Sequence, residues 1–179
     1  MGISFKPYLK PLPGKEPDAP TAVLIAKSYD GLAVHSLLNI TRLFANYFKN
    51  IVFVSVGVVN TNTFSAAEVQ KLQRSKEENL KSLVEYANGL GWHVEYRYSV
   101  GVGLLDELEK LCKSIAREFP NVVFFTGKLI SEKENFLSRL LRKQTAYALQ
   151  RRLKSEGLSL LILPVSSFDT MLFRDDRLQ

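Results

Sequence analysis

The amino-acid sequence predicts an α/β fold, with a five-stranded parallel sheet in the order 3-2-1-4-5 and helices on both of its faces. Five short apolar runs alternate strictly with four helical patterns, and helical crossovers of this kind join parallel strands. One run, residues 92–100, carries a regular polar face, which places it at an edge of the sheet. The chain has 179 residues, of which 46% are hydrophobic, enough for one well-cored domain but not for two.

The chain begins with a proline-rich stretch, which a strand, a helix and a second strand follow. Five of the seven prolines fall in the first twenty residues, where they favour extended backbone with little to bury. The apolar run at 22–26 predicts the first strand, a helical pattern covers 32–48, and the valine-rich run at 51–59 predicts the second strand. The predicted divisions are a proline-rich linker or tail over 1–20, an α/β domain over 21–165, and a tail over 166–179.

The middle of the chain contributes two helices and the edge strand. Ser65 and Glu68 form a capping box that opens the second helix. Residues 92–100 alternate apolar and polar side chains, and a third helical pattern covers 104–119. The single cysteine, Cys112, lies in the apolar stripe of that helix, so we expect a buried and unreactive thiol.

The last strand–helix–strand unit carries the net charge of the chain. An apolar run at 122–125 predicts a strand, Thr126-Gly127-Lys128 a turn, and the pattern to about residue 156 a long helix. Residues 128–154 contain eight basic and two acidic side chains, a difference that equals the +6 of the whole chain. Any basic partner surface should therefore lie in this segment.

The final strand, Leu160 to Val165, is apolar throughout, yet the predicted order places it at a sheet edge. An exposed apolar edge strand needs a cover. A second copy of the chain would supply one, so the sequence predicts a homodimer formed through Leu160 to Val165. The alternative is that the tail over 166–179 folds back across the strand.

A ligand crevice is predicted where the strand order reverses, between the carboxyl ends of strands 1 and 4. Lys27 and Asp30 follow strand 1, and Thr126, Gly127 and Lys128 follow strand 4. Small residues allow close backbone approach, while lysines and helix amino termini favour anions, so a phosphate-bearing ligand suits this chemistry. Neither G-x-G-x-x-G nor G-x-x-x-x-G-K-[ST] occurs, and Asp30 with the glycine after it also fits a plain turn.

Catalytic groups are scarce in the sequence. The two histidines, His35 and His93, are too few for a histidine metal cluster, and no G-x-S-x-G elbow occurs. We therefore expect no enzyme and no metal site. No apolar run reaches the ~18–20 residues of a membrane span, and the first residues lack the apolar core of a signal peptide, so we expect a cytoplasmic location.

The basic helix has two interpretations. Arg139, Arg142 and Lys143 lie on its charged side, which is what any surface helix presents to solvent. The same charges would suit contact with anionic lipid headgroups or an acidic protein segment. Nucleic acid is not expected, because Phe136 and Tyr147 look like packing residues rather than an exposed stacking platform.

The strand order, the glycine after strand 4 and the ending Leu163-Pro164-Val165 resemble a universal stress protein domain over residues 21–165. Nucleotide-binding members of that family carry G-x2-G-x9-G-[ST] after strand 4. Gly127 matches the first glycine, Ile130 stands at the second, and Gln144-Thr145 is the nearest match to the closing pair. The resemblance implies ATP or AMP as the ligand and adds Thr145 to the predicted site residues.

Four segments also resemble the cytoplasmic carboxyl-terminal domain of bacterial permeases in the amino acid-polyamine-organocation superfamily, which follows the last membrane span through a proline-rich linker. They are PTAVLIAKSYDGLAVHSLLNITRLF, NIVFVSVGVV, DELEKLCKSIAREFPNVVFFTGKL and RLLRKQTAYALQRRLKSEGLSLLILPV. This resemblance implies a non-catalytic regulatory or assembly domain, tethered to the inner face of the membrane, with a degenerate nucleotide crevice. The alternative is a free-standing universal stress protein that binds ATP or AMP.

Overall fold

The computed structural model describes residues 14–59, 65–130 and 136–166 of the chain. Strands and helices alternate through these residues. The elements are β1 (Thr21–Ile25), α1 (Gly31–Leu43), β2 (Asn50–Val58), α2 (Ala66–Asn88), β3 (His93–Gly101), α3 (Leu104–Glu118), β4 (Val122–Ile130), α4 (Phe136–Ser155) and β5 (Leu160–Ser166). Within the described ranges, no helix combines the length and the apolar character that a membrane span requires.

The five strands form one parallel sheet in the order β3-β2-β1-β4-β5, which confirms the predicted order and the edge position of β3. The central strand is the shortest: β1 has five residues, whereas β2 and β4 have nine each. Ile25, the last residue of β1, is paired with Val54 and with Thr126. The neighbouring strands therefore extend beyond the end of β1, and this difference in length opens a crevice at the carboxyl edge of the sheet.

The sheet separates two hydrophobic cores, because successive side chains of a strand point to opposite faces. Phe125, Leu24 and Phe53 pack with α1 and α2 on one face, and Phe124 and Val52 pack with α3 and α4 on the other. All five side chains are fully buried. Burial of each contributes about 1.5–3 kcal/mol to the free energy of folding, so the two cores hold the sheet and its crevice in a fixed geometry.

The structure corrects two predicted boundaries. Residues Thr126-Gly127-Lys128 were expected to form a turn but belong to β4, which continues to Ile130 because Leu129 and Ile130 pair with β5. Helix α1 ends at Leu43 instead of continuing to residue 48. Asn46 adopts a left-handed φ of 59°, a conformation that asparagine tolerates and that a helix does not allow. The chain turns there.

The two edge strands of the sheet differ in exposure. Every residue of β3 is partly buried, as expected of a strand with one polar face. In β5, Leu160, Leu163 and Val165 are buried, whereas 40% of Leu161 is exposed. Pro164 and Ser166 are exposed as well, so β5 is only partly covered by the described residues although most of its sequence is apolar.

The residues that precede β1 contact the amino-terminal edge of the sheet. The Asn50 side chain accepts a hydrogen bond from the Glu16 amide at 3.1 Å and donates one to the Glu16 carbonyl at 2.7 Å. Asn121 Nδ2 donates to the Asp18 carbonyl at 2.6 Å. Lys15 forms ion pairs with Glu95 and Glu118. The end of the predicted linker is thus docked on the edge of the sheet opposite the crevice.

Candidate ligand-binding site

A cavity of about 550 Å³ lies at the carboxyl edge of the sheet, between the ends of β1 and β4. This is the point where the strand order reverses, as the sequence predicted. Most of its described wall is apolar, and examples are Ile25, Leu32, Val56, Val58, Leu104 and Leu149. The polar side chains on the wall are Lys27, Asp30, Ser36, Lys76, Thr126 and Thr145. A few polar groups on an apolar wall of this volume are typical of small-molecule sites.

The structure brings five of the six predicted site residues together. They line the one cavity: Lys27, Asp30, Thr126, Gly127 and Thr145. Lys128 lies further along β4, paired with Pro164, and is not among the described lining residues. Whether these residues bind a ligand stays a prediction.

Gly127 occupies a different structural role from the one expected of a phosphate-binding turn. It lies in the middle of β4, paired with Leu163. A Cβ atom at this position would overlap the Ser36 hydroxyl of α1 and lie 3.0 Å from Leu32 Cδ1. The glycine therefore lets α1 approach the sheet. Within the described residues, the next helix, α4, begins at Phe136, so Gly127 does not itself open a helix.

Asp30 caps helix α1. Its Oδ1 accepts a hydrogen bond from the Ala33 amide at 3.0 Å, and its Oδ2 accepts one from the Ser28 hydroxyl at 2.7 Å. A carboxylate at this position satisfies an otherwise unpaired amide and interacts favourably with the helix dipole. The anion-binding position at the start of α1 is thus occupied by the protein's own side chain.

Sequence reasoning missed Lys76, which α2 places on the cavity wall. The side chain is buried, with a residue exposure of only 9%. Its Nζ donates to the Lys27 carbonyl at 2.6 Å, and the Ser55 hydroxyl donates to the same oxygen at 3.3 Å. Burial lowers the pKa of the Lys76 ammonium, and the nearby charge of Lys27 lowers it further.

The signal for Lys76 was present in the helical pattern. The apolar stripe of α2 runs through Leu72, Leu80 and Leu83, and the interval of eight positions between Leu72 and Leu80 spans about two helical turns. Lys76 fills that gap, four residues from Leu72 and four from Leu80, so it faces the same side of the helix. A lysine inside an apolar stripe predicts a buried ammonium group. Because burial of an unpaired charge is costly, such a lysine is a candidate for a functional role.

The other reactive groups of the described residues are less suited to chemistry. Cys112 is fully buried, as expected, and burial raises its pKa to about 12, so its lack of reactivity stays a prediction. Within the described ranges, no group of three or more histidine, cysteine or acidic side chains could hold a metal ion. The cavity itself therefore offers lysines, hydroxyls and a capping carboxylate.

The structure describes the side chains of only part of the basic segment over residues 128–154. Arg139, Arg142 and Lys143 lie outside the residues whose side chains are described. Arg152 is paired with acidic residues of α3, since its Nη1 lies 2.6 Å from Asp106 Oδ1.

Tyr147 of α4 was expected to pack in the interior, but 44% of its surface is exposed. That expectation was wrong, because the buried face of this helix runs through Leu149 and Leu153 instead.

Comparison with known proteins identifies the fold. No family model matches the chain, and no curated protein does. A solved structure, described as a universal stress protein in complex with cAMP, is similar with a TM-score of 0.53 and 17% sequence identity. The similarity covers 80% of this chain and 96% of that one. With its parallel sheet in the order 3-2-1-4-5 and its four helices, the chain has the fold of a universal stress protein.

Proposed function

We propose that this chain is a non-catalytic ligand-binding domain that holds a nucleotide in the cavity between the ends of β1 and β4. The observation that carries the proposal is the cavity itself, which lies at the topological switch point of the sheet and contains a buried lysine. A structure with the same fold was solved with cAMP. No catalytic role is proposed, since the described wall carries no histidine or cysteine and its carboxylate caps a helix.

The expected mode of binding differs from a phosphate cradle. In the described residues β4 forms no glycine turn, and the one glycine on the wall packs against α1. The apolar wall, with Val56 and Leu149 among its members, suits a purine ring. The lysines suit the phosphate, because an ammonium group is a compact charge with three donors.

Isothermal titration calorimetry of the purified chain with cAMP, AMP and ATP tests the proposal. We expect a Kd in the micromolar range for at least one of them, about −8 kcal/mol. Leu104 lines the cavity mouth and is 37% exposed, so Leu104→Glu would place a negative charge beside the ligand without burying it. That variant should weaken binding at least about tenfold.

The matched control is Leu43→Glu. Leu43 is 59% exposed and ends α1, roughly 18 Å along the helix axis from its start beside the cavity. The Leu43→Glu substitution introduces the same charge at the opposite edge of the sheet, so this variant should bind the nucleotide like the unmodified chain. Absence of heat with all three nucleotides, or equal weakening by both variants, would contradict the proposed site.

The broader role that we propose is regulation or assembly of an amino acid permease-type transporter at the inner face of the membrane. The resemblance of four segments to that class of domain supports it. The alternative is a free-standing universal stress protein. An immunoblot of fractionated native cells separates them: a membrane-bound band far above 20.2 kDa favours the transporter, and a band near that mass in the soluble fraction contradicts it.

Dimerisation through β5 is part of the same proposal. Leu161 leaves an open apolar position on the edge strand, while Pro164 lacks an amide hydrogen and so cannot extend the sheet at its own position. We therefore propose contact between side chains of two β5 strands. Light scattering during size-exclusion chromatography should give a dimer that Leu161→Lys dissociates and Leu43→Lys does not. A monomeric unmodified chain would refute the contact.

Contact of Arg139, Arg142 and Lys143 with anionic lipid is also proposed, from their charge alone. Sedimentation with vesicles that contain phosphatidylserine should remove the chain from solution at low salt, and vesicles of neutral lipid should not. Sedimentation that survives replacement of all three residues by glutamine would exclude this role for them.

A further inference from the structure

We infer that Lys76 binds the negatively charged group of the ligand and that the cavity selects ligands with a single negative charge on an apolar body. This inference rests on the ligand-binding role proposed above. It goes further by naming the residue that recognises the ligand and the chemical class that this residue admits. The argument has three parts, which concern the ammonium group, the charges around it and the cavity wall.

The Lys76 ammonium has spare donors. An ammonium group can donate three hydrogen bonds, and within the described part of the chain Nζ makes one, to the Lys27 carbonyl. No described carboxylate lies within ion-pair distance of it. The side chain is nine-tenths buried on the wall of the cavity. A buried charge without a counter-ion is costly unless something else supplies the opposite charge.

The described cavity wall does not supply that charge. Asp30 is its only acidic side chain, and both carboxylate oxygens are engaged, by the Ala33 amide and the Ser28 hydroxyl. Lys27 adds a second positive charge on the same wall. The lowered pKa of Lys76 has burial and Lys27 as its causes, which is the behaviour of an unbalanced cation. A bound anion would balance it.

The wall also limits how much charge a ligand can bring. Its area is mainly apolar, and β4 presents strand backbone where a glycine turn would otherwise offer amide groups to a phosphate chain. Lys27 is exposed, so the buried part of the described wall has one ammonium, that of Lys76, and it can neutralise one negative charge. Further phosphate charges beside Ile25, Leu108 and Leu149 would lie against apolar side chains without a cation to pair with them. A singly charged phosphodiester or carboxylate on an aromatic or aliphatic body fits these conditions, whereas a triphosphate does not.

Three adenine compounds that differ in charge test the inference on the purified full chain: adenosine is neutral, cAMP carries one negative charge and ATP carries several. By titration calorimetry, we expect cAMP to bind at least about tenfold more tightly than either of the others. Lys76→Met keeps the length of the side chain and removes its charge. It should weaken cAMP binding at least about tenfold and leave adenosine binding unchanged.

Lys71→Met is the matched control, since Lys71 is exposed on the same helix and does not line the cavity. Without ligand, Lys76→Met should melt at or above the temperature of the unmodified chain, because it removes a buried charge, so a loss of binding is not a loss of folding. If Lys76→Met binds cAMP normally, or if adenosine or ATP binds as tightly as cAMP, the inference is wrong and the proposed function stands. If none of the three compounds binds, both are wrong.

Discussion

Replacement of Gly127 by alanine should destabilise the fold through contact with helix α1. The added Cβ would overlap the Ser36 hydroxyl and would lie 3.0 and 3.2 Å from Leu32 Cδ1 and Cγ. Ser36 is fully buried, and its hydroxyl donates to the Leu32 carbonyl at 2.6 Å, so it can move away only by giving up that hydrogen bond. Overpacking of this kind costs about 1–3 kcal/mol of the free energy of unfolding.

Ser36→Ala identifies the atom responsible. It removes the hydroxyl and leaves the Leu32 side chain as the nearest neighbour of the new Cβ, a contact that a shift of a few tenths of an ångström relieves. Ser36→Ala alone should cost at most about 1 kcal/mol, the net value of one hydrogen bond. The double variant should then be about as stable as Ser36→Ala alone, which corresponds to a coupling free energy of about 1–3 kcal/mol.

Urea denaturation of the four proteins measures these values, with an unchanged dependence on urea as the sign that the folded state is preserved. For a chain of this length, the loss in Gly127→Ala corresponds to a melting temperature lower by about 2–12 °C. A Gly127→Ala variant within about 0.5 kcal/mol of the unmodified chain would falsify the packing role. If the double variant recovers stability but binds no ligand, Gly127 would instead be needed for close approach of a phosphate, as the sequence predicted.

Three further predictions follow from the described contacts. Asp30→Ala should lower the free energy of unfolding by about 1 kcal/mol, measured in urea, because α1 loses its cap; Asp30→Asn, which can still cap, should lose less. Cys112 should resist a thiol reagent at pH 8 until denaturant is added, since burial raises its pKa to about 12; reaction at the rate of a free thiol would contradict its burial. Burial alone would raise the pKa of Glu95, but hydrogen bonds from His93, Arg97 and Lys15 hold it at about 2, against an ordinary value of 4.5. Stability should therefore fall as the pH falls from about 4.5 towards 2, and Glu95→Gln should flatten that part of the pH profile.

The strand order and the place of the site could be predicted because both depend on patterns that a sequence displays. The alternating polar face of β3 fixed one edge of the sheet, and strict alternation of strands and helices fixed the parallel connections. Topology then placed the crevice at the ends of β1 and β4, with Lys27 and Thr126 beside it. These inferences need only local periodicity and the handedness of crossovers.

The roles of individual wall residues could not be predicted, because they depend on distances between elements that lie far apart in the sequence. Gly127 is 91 residues from Ser36, and nothing in the local sequence shows that their backbones come close. A Thr-Gly-Lys sequence is compatible with a turn, but pairing of Thr126 with β1 and of all three residues with β5 keeps it extended. Lys76 is 49 residues from the carbonyl that it contacts.

Gly127 and Lys76 together support the proposed mode of ligand recognition, in which a side chain takes the place of a backbone cradle. A backbone cradle binds phosphate through amides that every residue type shares, so its specificity changes little with side-chain substitution. Because β4 stays extended and packed on α1, it offers no such cradle at Gly127. In the proposed mode, the Lys76 side chain of α2 binds the anionic group instead. A single point charge in an apolar wall distinguishes ligands by how many charges they carry. Ligand choice at this site should therefore depend on Lys76 more than on any glycine of β4, and substitution of that one residue should change the class of ligand without changing the fold.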